Sequence, residues 1–458
     1  MEKMSALYVR LDEAVDRRFD EQVRFLQALV RVPTDTPPGN NAPHADKTAE
    51  LLAAMGLVAE KYPVPAAEVR AQGMQSVTNL IVRQHFGTQG AEGAAAGPVI
   101  ALNAHGDVVP PGDGWTHDPY GAEIVDGKLY GRAAAVSKGD FATYTFALRA
   151  LAEAGGPPKG EALASAPLRG TVELHFTYDE EFGGELGPGW LLAHKLTQPD
   201  YLIAAGFAYQ VVTAHNGCLQ MEVTLHGLGS HAAYPHTGID ALQAANRLLT
   251  ALYAHNDLLQ TRNSAVPGIT HPYLNVGRIE GGTNTNVVPG KVVLRLDRRM
   301  IPEEDATAVE AEMRSLIESA VAASPGIRLE IRRLLLAGSL KPQEGNAPLV
   351  AAIRKHGEAV FGEPIAESGT PLYTDVRLYG AAGVAAVIYG AGPRTVLESN
   401  AKRADEHLVL EDLRRATKVV ARSLADLLVS APPARAAAAP QGVAMGATSS
   451  SSTRPVPS

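Results

Sequence analysis

The chain has 458 residues, 45% hydrophobic and 20% charged, with a formal net charge of −8 at pH 7. That length allows two or three domains with proper cores, and the acidic balance excludes a nucleic-acid binder, which needs a basic surface. No apolar run of about 18 residues occurs, which excludes an ordinary membrane helix. The charged start MEKMSALYVRLDEAVDRRFD lacks an apolar leader core, so a cytoplasmic location is expected. Cys218 is the single cysteine, so neither an intrachain disulfide nor a thiolate zinc site is possible.

In chain order, Phe19, Val23, Leu26, Leu29 and Val30 share one face of a first helix. The proline-rich VRVPTDTPPGNNAPHAD breaks it and leads to a second helix near Lys47 to Met55. VTNLIVRQ, PVIALNAH and TVELHFTYDE read as strands, and FATYTFALRALAEA and ELGPGWLLAHKL as helices. This alternation predicts an α/β fold with a mainly parallel sheet flanked by helices. Ligands bind beyond the carboxyl ends of such strands, which is where His105, Asp107, Glu180 and Glu181 fall.

After residue 212 the pattern becomes β-α-β-β-α-β, predicting a two-layer α+β domain over 212–336 inserted into a larger one of 1–211 and 337–429. The chain returns through a helix near Leu349 to Val360, a strand at VAAVIYG and a last helix, LVLEDLRRATKVVARSLADLLV. FGTQGAEGAAAGP reads as a mobile loop, and the tail 430–458 as disordered, its apolar content being too low to pack.

Four groups of residues can carry chemistry. In AHGDVVPPGDGW, His105 and Asp107 lie two apart at a strand end, so the carboxylate can orient a metal-binding imidazole, or the two form a structural pair. TYDEEFGGELGP crowds three acids, which is costly without a cation or a proton unless the turn is simply solvated. GLGSHAAYPHTGIDA places His231 among loop glycines. In GGTNTNVVPGKVVLRLDRRM, Asn286 and Arg299 bracket a strand and can clamp a carboxylate, Asp297 being the competing partner for Arg299.

In this order and spacing, HGDVVPPGDGW, YGR…SKGD, DEEFGG, GSHAAYPHTGIDA and GPRTVLESNAKRADEHLVLEDL resemble the M20 family of metallopeptidases and deacylases. The resemblance implies hydrolysis of amide or peptide bonds in small N-acyl amino acids or dipeptides, at two zinc ions bridged by an aspartate. It implies that His105 and Glu181 are metal ligands, Asp107 orients His105, and Glu180 is the general base. It further implies that His231, reaching across a homodimer, stabilises the oxyanion while Asn286 and Arg299 hold the substrate. Three ligand positions depart from the family. The bridging aspartate aligns with Val136, a carboxylate with Ala205 or Gly206, and the last histidine with Lys402. Each zinc would keep one protein ligand where three or four are usual, so an impaired dinuclear site is expected. Lys402 is expected near Glu181, supplying a metal's charge. Asp140, one helical turn beyond Val136, is too far along to bridge. Besides hydrolysis, two readings fit these residues. One is a metal-independent isomerase or lyase using Glu180 or Asp107 for proton transfer and Lys402 as oxyanion partner or, with a depressed pKa, as a Schiff base. The other is a non-catalytic protein that binds an amino-acid derivative.

Overall fold

The computed structural model describes residues 2–87, 97–155 and 168–429. Most of the expected mobile loop and the whole tail from 430 lie outside the described residues. An eight-stranded sheet runs in the spatial order Ala59–Pro63, Thr78–Phe86, Gly170–Thr177, Val99–His105, Tyr201–Ala204, Ala385–Ile388, Gln210–His215, Ala366–Thr370. Its centre is parallel, from Gly170–Thr177 across to Ala385–Ile388, and its first two strands are antiparallel to their neighbours. Gly170–Thr177 is buried at every position, as a central strand covered on both faces must be. Its burial therefore does not alternate, although apolar Val172, Leu174 and Phe176 alternate with polar Thr171, Glu173 and His175.

The helix Gly139–Ala154 is buried along almost its whole length and packs against Glu2–Arg17, Phe19–Val30 and the last helix, Leu410–Val429. Among the described residues no helix is long and apolar enough to cross a membrane.

A separate antiparallel sheet has the order Tyr273–Gly281, Lys291–Met300, Gly217–His226, Arg328–Ala337. Burial alternates along Lys291–Met300, so Val292, Leu294 and Leu296 face the helices Ala241–Leu259 and Ala306–Ala322. Both helices are capped by an aspartate: Asp240 accepts from the backbone of Leu242 and Gln243, and Asp305 from Ala308. The element order between 217 and 337 is β-α-β-β-α-β. Val212–His215, assigned from sequence to the insert, instead belongs to Gln210–His215 of the large sheet, where it pairs with Ala366–Thr370.

A three-stranded sheet, His407–Val409, Lys128–Tyr130 and Glu123–Val125, has no counterpart in the sequence reading. It pairs His407 with Tyr130 and so pins the loop after Tyr130 beside the loop that carries Lys402.

Candidate active site

His105 closes the central strand Val99–His105, and the turn of Glu180–Phe182 follows the neighbouring strand Gly170–Thr177. Asp107, fully buried, joins the two: its carboxylate accepts from the backbone N–H of Glu180 at 3.2 Å and of Glu181 at 3.0 Å. His105 Nδ1 lies 3.0 Å from the Asp107 carbonyl oxygen and 3.4 Å from its carboxylate, so Asp107 does orient the ring, chiefly through its backbone. Both carboxylate oxygens of Asp107 accept from the 180–181 turn, a geometry that suits a positioning role better than proton transfer. Gly184 completes the corner at φ +77°, and a Cβ there would come within 2.2 Å of Asp375 Oδ1.

The ring of His105 turns its Nε2 toward Glu180, 3.9 Å from Oε2. Burial opposes charge on the imidazole, but Glu180, Asp107 and Glu181 outweigh it and push the pKa up to about 10. Burial raises the carboxyl of Glu180, against the lowering field of His105. Glu181 meets Lys402: Nζ donates to Oε2 at 2.8 Å, from a half-exposed lysine to a nearly buried carboxylate. Burial lowers the ammonium pKa, but the charges of Glu181 and Glu180 prevail and the net shift is upward. The upward direction favours Lys402 as a charge partner of Glu181 over the Schiff-base role, which calls for a depressed pKa.

The segment after Tyr130 is organised by Glu406, a fully buried residue absent from the sequence reading. It takes Arg132 Nη1 at 2.6 Å and the backbone N–H groups of Ala135, Val136 and Lys402 at 3.2–3.3 Å. It thus binds the Val136 turn to the Lys402 loop. Its only sequence signal is the acid pair in RADEHL. Lys138, also buried, donates to the Val32 carbonyl at 2.8 Å, and burial pushes its pKa down to about 7.

Asp140 lies in the first turn of Gly139–Ala154, with Oδ2 accepting from Gly206 N at 3.1 Å and Oδ1 from Ala391 N at 2.7 Å. Both oxygens are committed to backbone, so Asp140 ties two loops together and does not replace the lost bridge. At Gly206 a Cβ would sit 2.1 Å from Ile388 Cγ2, so the space of a side chain there is filled by isoleucine.

These residues surround a cavity of about 320 Å³ whose lining includes His105, Val136, Glu180, Ala205, Gly206 and Lys402. Arg299 reaches it from the small sheet. Its Nε and Nη2 bond Asp297 at 2.7 and 3.3 Å, the competing partner named from sequence, and its guanidinium lies 5.6 Å over the Tyr373 ring. Asn286 and His231 are not part of the lining. They lie together on the exposed edge of the insert, where His231 bridges Val287 and the Asn286 carbonyl accepts from Ala232 N. Within one chain Arg299 is thus at the cavity without Asn286, and the two-residue clamp is not assembled. The loop after Ala366–Thr370 adds Tyr373 and Asp375, which the sequence reading passed over. Burial and the nearby Asp179 push the Asp375 carboxyl well above the usual range.

The retained donors do not fit a dinuclear zinc centre. His105 and Glu181 remain, but Glu181 is bonded by an ammonium and Val136 is apolar. Among the described residues no three His, Cys, Asp or Glu side chains are grouped to hold a metal.

An imidazole and a carboxylate-rich turn at the ends of parallel strands, met by an arginine from a second sheet, define an α/β enzyme site for a small molecule. Residues 101–426 match the sequence model of peptidase family M20/M25/M40, and the chain belongs to that family. It is 29% identical over 408 residues to succinyl-diaminopimelate desuccinylase of Methylorubrum populi, covering 87% of this chain and 96% of the relative. Its fold resembles the dipeptidase Dug1p of Saccharomyces cerevisiae, with TM-score 0.71 and 13% identity over 92% and 99% of the two chains. It also resembles the dinuclear metal-binding peptidase YXEP of Bacillus subtilis, with TM-score 0.61 and 17% identity over 90% and 99%.

Proposed function

We propose that the chain hydrolyses the amide bond of small N-acyl amino acids or dipeptides at the cavity beside His105, with an internal ammonium where the family uses zinc. The observation that carries this reading is the Lys402–Glu181 contact at 2.8 Å, made between a retained ligand position and a replaced one. Two lost carboxylates and a gained cation offset the repulsion that Glu180 and Glu181 would otherwise leave in a pocket without metal. Glu180 takes the proton from the attacking water and gives it to the amide nitrogen as the C–N bond breaks, and Lys402 and His105 face the oxygen on which charge develops. Asp297 holds the Nε–Nη2 edge of Arg299, and the other edge meets the substrate carboxylate. In this reading a second copy of the chain supplies His231, which is exposed on the insert.

The test is metal content together with turnover of a panel of N-acyl amino acids, with and without chelator. The expectation is well under one zinc per chain, turnover that survives chelation, and loss of turnover in Glu180→Gln. Two zinc ions per chain with chelator-sensitive activity would overturn the ammonium-for-zinc part, and no turnover of any member of the panel would overturn hydrolysis.

A further inference from the structure

Two of the three positions where the resemblance expects ligands carry apolar or side-chain-free residues at the cavity, and the third carries Lys402. Val136 and Ala205 line it directly, and Phe207, Ile388, Val396 and Leu372 also line it. Ile388 fills the space of a side chain at 206. At about 320 Å³ the cavity is at the small end of ligand pockets.

The lysine and arginine on the lining leave no positive charge for a second carboxylate. Lys402 meets Glu181 at 2.8 Å, and Arg299 meets Asp297 at 2.7 Å and keeps one edge for the substrate's own carboxylate. The acids on the lining are Asp140, Glu180 and Asp375. A ligand whose acyl chain ended in a second carboxylate would place that charge against an apolar or acidic surface, which is costly without a partner. An alkyl chain placed there removes apolar area from water on both sides.

We infer that the vacated ligand positions now form the acyl-binding chamber, and that this chain selects N-acyl amino acids with a short uncharged, apolar acyl group over dicarboxylic ones such as succinyl. This deepens the proposed function and rests on that reading of the cavity. It differs from what the name of the desuccinylase relative would suggest for this chain.

The experiment uses the full chain carrying Glu180→Gln, so that ligands bind without turnover, titrated calorimetrically in chelator with N-acetylglycine, N-hexanoylglycine and N-succinylglycine. Affinity is expected to rise about fourfold per buried methylene from the acetyl to the hexanoyl ligand. The succinyl ligand is expected to bind at least about tenfold more weakly than the hexanoyl one. Ala205→Leu, added in the same background and checked by thermal melting for an intact fold, is expected to weaken hexanoyl binding about tenfold while leaving acetyl binding in place. Succinyl binding equal to or tighter than hexanoyl, or no gain from acetyl to hexanoyl, overturns the inference and leaves the hydrolase reading standing. Ala205→Leu without effect on the hexanoyl ligand overturns the placement of the chamber. Failure of all three ligands to bind overturns the underlying reading, and the inference with it.

Discussion

Two corners of the same cavity have fared differently. At one, Asp107, His105, Glu180 and Glu181 form a unit in which backbone N–H groups of the next strand's turn donate to the buried Asp107 carboxylate. At the other, Val136, Gly206 and Lys402 stand where the family resemblance expects ligands. There apolar contacts and one ammonium fill the space. The first corner is tied together by hydrogen bonds internal to the protein. In the second, each residue meets a local demand: Ile388 fills the space of a side chain at 206, Asp140 satisfies two backbone donors, and Lys402 neutralises Glu181.

The comparison breaks most readily at Asp107. Asp107→Ala removes the shared acceptor of two buried N–H groups and is expected to cost about 3 kcal/mol in urea unfolding, with the 180–181 turn released. If stability hardly changes, the retained corner is not self-supporting, and its persistence needs another explanation.

The next effect is at the replaced corner. Gly206→Ala should cost about 1–3 kcal/mol through the clash with Ile388, which is 1% exposed. In an Ile388→Ala background the same change should cost markedly less, so a double-mutant cycle should show favourable coupling. Additive costs would mean that isoleucine does not fill the place of a side chain at 206.

What the sequence made legible follows from the same division. Element order came through wherever period and length agreed, as in Gly170–Thr177 and the β-α-β-β-α-β insert. The short strands His407–Val409, Lys128–Tyr130 and Glu123–Val125 were not legible, because three residues are too few to show a period. His105, Asp107, Glu180 and Glu181 could be read from two local motifs, each at the end of one strand. Glu406 could not, because its meaning lies largely in Arg132 and two backbone donors, Ala135 and Val136, from a segment 270–274 residues away. The separation of Asn286 from Arg299 within one chain was not legible either. The two residues flank one strand, but Arg299 turns into the cavity while Asn286 stays on the exposed edge of the insert.

The smallest expected effect on stability is the most informative about function. The Lys402 side chain is 48% exposed and Glu181 only 8%, so solvent screens much of their attraction. Lys402→Met should shift unfolding free energy by no more than about 1 kcal/mol. If the ammonium is only a surface partner of Glu181, turnover and ligand affinity should be equally indifferent. If it stands in for the metal's charge during the reaction, turnover of an N-acyl amino acid should fall by about 100-fold, with the melting temperature almost unchanged. Lys402→Arg should then recover part of that loss, since it returns the charge in a different shape. Lys402→His separates charge from ligation, because it restores one donor while Val136 and Gly206 remain unable to bind metal. It should not bring zinc back, and tight zinc binding by that single variant would show that the replaced corner had lost less than its apolar lining implies.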